Sequence, residues 1–84
     1  ATEAMAPSSE KGRALRLAAQ LAFQNGNTER ARQLIEESLR NLQVAGNHLE
    51  YARTLRMLAQ IYQAQNDTEN AIAAARQAAD IFER

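Results

Sequence analysis

The sequence has no cysteine and no tryptophan, a single histidine and a single proline, and its ten basic side chains are matched by ten acidic ones. Each shortage excludes something. Without cysteine there is no disulfide framework, no thiol nucleophile and no cysteine-ligated zinc. One histidine and no glycine-rich phosphate loop leave nothing from which a nucleophile, a base and an oxyanion site could converge, so no enzyme, no metal and no cofactor is expected. No apolar run approaches the roughly 18 residues of a membrane span, and the N-terminal stretch lacks the basic-then-apolar order of a secretory signal. The expected setting is therefore the cytoplasm, away from membranes. A formal net charge of zero argues against a general nucleic-acid or anionic-membrane binder.

What is present points to helix. Eighty-four residues, 45% of them apolar, have room for one modest core and no second domain. Leucine, isoleucine, valine and phenylalanine are sparse, and alanine and glutamine fill their places. Alanine is the best helix former, glutamine and arginine are good ones, and glycine and proline fall almost entirely in stretches that read as tail or turn. The expected class is all-α.

The chain is duplicated. Shifting it by 40 residues lays Arg13-Ala14-Leu15-Arg16-Leu17-Ala18-Ala19-Gln20 over Arg53-Thr54-Leu55-Arg56-Met57-Leu58-Ala59-Gln60, so both copies read R-x-L-R-x-x-A-Q. Downstream, Asn27-Thr28-Glu29-Arg30-Ala31 falls on Asp67-Thr68-Glu69-Asn70-Ala71, and Leu42 falls on Phe82.

Punctuation divides each copy into two amphipathic helices. Residues 1–8 show no period and read as a disordered tail ending at a Ser8 or Ser9 cap. A first helix runs to about Gln24, where Asn25-Gly26-Asn27 stops it. Asn27 or Thr28 then caps a second helix that reaches about Val44. Gly46-Asn47 is the next turn, and Asn47 with Glu50 three residues on has the form of a capping box opening a third helix to about Gln65. Asp67 caps the fourth, which continues to the C-terminal end. Loops this short between such helices force antiparallel neighbours, giving two αα-hairpins, one over about 9–46 and one over about 47–84, within a domain spanning 9–84.

The apolar positions show how the hairpins pack. Leu55, Leu58, Ala59 and Tyr62 form one face of the third helix, and Met57 and Ile61 add a second flank. The first helix repeats this with Leu15, Ala18, Ala19 and Ala22, flanked by Leu17 and Leu21. The other two helices carry Ala31, Leu34, Ile35, Ser38, Leu39 and Leu42, then Ala71, Ala75, Ala78 and Phe82, and the small residues among them permit close approach.

Leu58, Ala59, Tyr62, Ala71, Ala75 and Ala78 resemble the consensus of the tetratricopeptide repeat. The first copy places Ala18, Ala19, Ala22, Ala31, Ile35 and Ser38 at the same positions, without the aromatic. The family's usual tryptophan and closing proline are missing from both copies. The 40-residue spacing exceeds the usual 34 and is similar to that of kinesin light chains and of the helical arrays of bacterial signalling NTPases and transcription regulators. The resemblance covers about residues 9–84. It implies a helical solenoid fragment that acts as a non-catalytic protein-interaction module.

The informative polar groups lie on one edge of the first and third helices. Arg13, Arg16, Gln20 and Gln24 share one edge, and Arg53, Arg56, Gln60 and Gln63 share the equivalent one. In tetratricopeptide repeats the first helix of each unit lines a concave groove that holds extended peptides, often by clamping a terminal carboxylate. The resemblance puts Arg16 and Arg56 where the clamp's lysine stands, and Gln20 and Gln60 where its asparagine stands. A guanidinium presents a planar fork to carboxylate, and glutamine offers donor and acceptor to an extended backbone, so the partner expected here is an acidic or carboxylate-bearing peptide or protein segment. Phe23 lies beside the stripe, either as an anchor for an apolar ligand side chain or as a packing residue at the hairpin end.

A second expectation concerns assembly. The fourth helix carries Ile72, Ala75, Ala79, Ile81 and Phe82, more apolar surface than its own hairpin can cover. Repeat proteins usually need about three units, because each hairpin buries its face on a neighbour. Either the chain is a spacer segment of a longer parent array, or two copies pair as a homodimer through the edge Ile72, Ala75, Ala79 and Phe82. The remaining ionisable groups read as surface: His48 as an exposed residue after the Asn47 cap, and Glu36, Glu37, Asp80 and Glu83 as a solvated face with Glu36–Arg40 and Asp80–Arg84 pairs.

Overall fold

The computed structural model describes residues 8–84, and most of the expected 1–8 tail lies outside them. The described residues form α1 (Ser9–Gln24), α2 (Thr28–Ala45), α3 (His48–Ala64) and α4 (Thr68–Phe82), with no strand among them. Each helix opens on a side-chain cap. Ser8 Oγ accepts from the Lys11 backbone N–H at 3.0 Å, Asn27 Oδ1 from Arg30 at 3.3 Å, Asn47 Oδ1 from Glu50 at 3.2 Å and Asp67 Oδ1 from Asn70 at 3.3 Å. Of the alternatives offered by the sequence, Ser8 and Asn27 are the caps. The capping box at Asn47 is only half made, because the Glu50 side chain turns away to arginines instead of returning to the cap.

The three turns share one design. Gly26, Gly46 and Asn66 adopt positive φ (83°, 73° and 61°), the left-handed residue that ends a helix. The next residue closes the helix behind it, with Asn27 N–H donating to the Ala22 carbonyl, Asn47 to Leu42 and Asp67 to Tyr62. That same residue caps the helix ahead. One side chain and one amide thus reverse the chain with almost no loop, which is why consecutive helices are antiparallel.

Within each hairpin α1 packs on α2 and α3 on α4; α3 also packs on α2 and touches α1, whereas α2 and α4 do not meet. Two cross-links fix the directions. Asn47 Nδ2 donates to Ser9 Oγ at 3.0 Å and Gln65 Nε2 to Glu29 Oε1 at 3.4 Å, so α3 runs parallel to α1 and antiparallel to α2. The core between the hairpins gathers Ala19, Ile35, Leu39, Leu58 and Ile61 with Ala31, Leu34, Leu55 and Ala78. Each large aliphatic side chain buried there contributes about 1.5–3 kcal/mol.

Gly12 lies inside the first helix, as expected, and is buried there: a Cβ would stand 2.6 Å from Leu42 Cγ and 3.3 Å from the Ser38 carbonyl oxygen. The missing side chain lets α1 and α2 touch, and Ser38 Oγ donates to the Gly12 carbonyl at 2.6 Å across that contact. The expectation that the flank Leu17 and Leu21 is covered needs correction: these leucines are 60% and 62% exposed, since no described helix lies on that side of α1. At the equivalent positions of α3, Met57 is half-buried and Ile61 fully buried. On α4, Ile72, Ala75, Ala79 and Phe82 are exposed as the sequence suggested, but Ile81 is half-buried and packs on the core.

Candidate functional site

Because α1 and α3 run side by side in the same direction, their arginine and glutamine edges form one surface. Arg13, Gln20 and Gln24 on α1 and Arg53, Arg56, Gln60 and Gln63 on α3 are all exposed. Arg16 is different. Its Nη1 reaches Glu50 Oε1 at 2.7 Å and donates to Thr54 Oγ1 at 3.3 Å, tying α1 to α3. Arg53 Nη1 approaches the other oxygen of the same carboxylate at 3.0 Å. Thr54 is fully buried and its hydroxyl donates to the Glu50 carbonyl.

Glu50 is therefore the anchor of the site, a role the sequence reading did not give it. Burial pulls its carboxyl upward, and the hydrogen bond and charge of Arg16, together with Arg53, outweigh that pull and hold it below its ordinary value. Its spacing to Arg53 was readable as an i, i+3 pair, whereas its contact with Arg16 depends on how α3 docks. Among the described residues, Arg13 and Arg56 face no carboxylate within ion-pair distance, and the Arg56 guanidinium lies 6.0 Å from the centroid of the Phe82 ring, at the outer reach of a cation–π contact.

Phe23 is half-buried and packs against the core, so of its two readings the packing one describes its surroundings. His48 is exposed and rims a shallow hollow with Tyr51, Asp80 and Arg84, away from the stripe, and no group of ligating side chains that could hold a metal ion occurs among the described residues. Asp80 and Arg84 pair at 2.8 Å. Glu36 does not pair with Arg40; it takes Arg32 at 2.7 Å. Arg32 stands between Glu29 and Glu36 and engages both carboxylates with one fork. Its hydrogen bond is the main cause that lowers the Glu29 pKa.

A family model described as tetratricopeptide repeat matches residues 10–84 of the chain. The chain belongs to the tetratricopeptide-repeat family. Searches of curated proteins and of solved structures returned no match. Tetratricopeptide repeats are characteristically protein–protein interaction modules. No helix among the described residues is long and apolar enough to cross a membrane.

Proposed function

We propose that this tetratricopeptide-repeat pair is a non-catalytic cytoplasmic module that holds an extended, acidic or carboxylate-bearing segment of a partner protein along the Arg–Gln edge of α1 and α3. The observation that carries the reading is the recurrence of arginine and glutamine on the same helix edge in both hairpins, with Arg13, Arg53 and Arg56 exposed and, among the described residues, only Arg16 and Arg53 engaged by a carboxylate, that of Glu50. Such an edge has a surplus of guanidinium donors for carboxylates. The glutamines Gln20, Gln24, Gln60 and Gln63 can serve both sides of an extended backbone. The 40-residue period extends the likeness to kinesin light chain and bacterial regulator arrays.

Arg13, Arg53 and Arg56 are the binding residues of first choice. Arg16 positions α3 through Glu50 and Thr54, so replacing it tests stability together with binding. The test is titration of fluorescent acidic peptides into the wild-type chain and into Arg13→Ala/Arg53→Ala/Arg56→Ala. Each exposed charge pair is worth about 0.2–1 kcal/mol, so the triple variant is expected to bind roughly tenfold more weakly with its helical circular dichroism unchanged. Equal affinity of the two chains rejects the groove. The self-association alternative draws on a separate observation, the exposed apolar edge Ile72, Ala75, Ala79 and Phe82 of α4, through which two copies would pair or a longer array would continue.

A further inference from the structure

The contact between the two hairpins is built from one face of α3 and one face of the α1–α2 hairpin, and the 40-residue repeat places a counterpart of each face on the outside of the molecule. On α3 the docking face is Glu50, Thr54, Met57 and Ile61; its counterpart on α1 is Glu10, Ala14, Leu17 and Leu21, all exposed. On the receiving side Ile35, Leu39 and Leu42 are buried, and their counterparts Ala75, Ala79 and Phe82 are exposed, with Ile72 beside them. One end of the molecule carries the plug and the other the socket.

We infer that a second copy of this chain docks by its α1 on the α3–α4 face of the first, repeating between molecules the contact that α3 makes within one. The charges agree with that register. Arg16 binds Glu50 inside the chain at 2.7 Å; shifted by one repeat, the same pair is Arg56 of one copy and Glu10 of the next, one cation and one anion, neither of which has an ion-pair partner among the described residues. Phe82, already beside Arg56, takes the place of Leu42. Apolar meets apolar over the rest, Leu17 and Leu21 arriving where Met57 and Ile61 sit in the internal contact. The receiving alanines are smaller than Ile35 and Leu39, so the contact between copies is weaker than the internal one. Because plug and socket are different surfaces, the association is heterologous and does not close at two copies. The inference does not require peptide binding in the groove, although both readings draw on Arg56.

The test is sedimentation of the 84-residue chain over a wide concentration range, with Leu21→Asp to spoil the plug and Ala75→Asp to spoil the socket. Both residues are exposed, so helicity should be retained and circular dichroism checks it. The wild type is expected to gain mass steadily with concentration, passing the dimer without a plateau. Each variant alone should lose open-ended growth, and an equimolar mixture should recover a one-to-one complex through its single intact plug and socket. Glu10→Arg or Arg56→Glu alone should weaken the wild-type association several-fold, and the two together in one chain should restore it. A wild type that stays monomeric throughout overturns the inference and leaves the face to a helix of another protein. A closed dimer indifferent to Leu21→Asp overturns it in favour of pairing between two α4 helices.

Discussion

The two hairpins carry related side chains at positions 40 residues apart, yet equivalent positions meet different surroundings. Ile61 is fully buried and Leu21 is 62% exposed; Leu42 is fully buried and Phe82 is 42% exposed. The difference is α3, which fills the side of the first hairpin that the second leaves open. In a stacked repeat, burial at such positions is set by the neighbouring hairpin and not by the local pattern, because an apolar stripe only offers a face and something else must cover it. The α1–α2 contact is also tighter. Gly12 and Ser38 sit where the second hairpin has Ala52 and Ala78, and they form a direct backbone-level contact that two alanines cannot reproduce.

The largest expected effect that sharpens this contrast comes from placing the same charge at equivalent positions. Ile61→Asp puts a carboxylate in the core and is expected to cost more than about 4 kcal/mol, most of the stability of a domain this small. Leu21→Asp should stay within about 0.5 kcal/mol. Urea titrations of dilute samples, followed by circular dichroism, read both. A smaller effect is expected at the close contact. Gly12→Ala forces a methyl against Leu42 at a cost of about 1–3 kcal/mol, offset by up to about 1 kcal/mol of helix propensity. The predicted net result is a lower urea midpoint, and a raised midpoint would mean that α1 and α2 can separate freely.

The smallest effect is the pH dependence at Glu50, whose exposed counterpart is Glu10. The folded-state pKa of Glu50 is lowered, so its contribution is fully present above the unfolded value of about 4.3 and is lost as pH falls through the folded one. Glu50→Gln should therefore flatten the fall in stability between neutral pH and about pH 3. Parallel slopes for Glu50→Gln and wild type would contradict the Arg16–Glu50–Arg53 cluster.

What the sequence made legible was local. Caps, helix limits and the placing of Arg13 with Gln20, and of Arg53 with Gln60, on one edge of a single helix depend on residues within about two turns of each other, where spacing determines geometry. The features that were not legible depend on docking. A glycine inside a helical pattern does not announce that Leu42 will press against it. Glu50 looked like the second half of a capping box until α3 was placed beside α1, and the covering of Ile61 but not Leu21 follows from which hairpin has a neighbour. Glu36 lay within four residues of both Arg32 and Arg40, and only the fork shared with Glu29 decides between them.

The central claim is that the α1–α3 edge is the partner-binding surface, and the most direct measurement is an amide nuclear magnetic resonance titration of the isotopically labelled chain with acidic peptides, some carrying a free terminal carboxylate. The account predicts shifts concentrated on α1 and α3 around Arg13, Gln20, Arg53, Arg56 and Gln60, with the shifts weakening as salt is raised. Shifts confined to α2 and α4, or none with any acidic peptide, would contradict it.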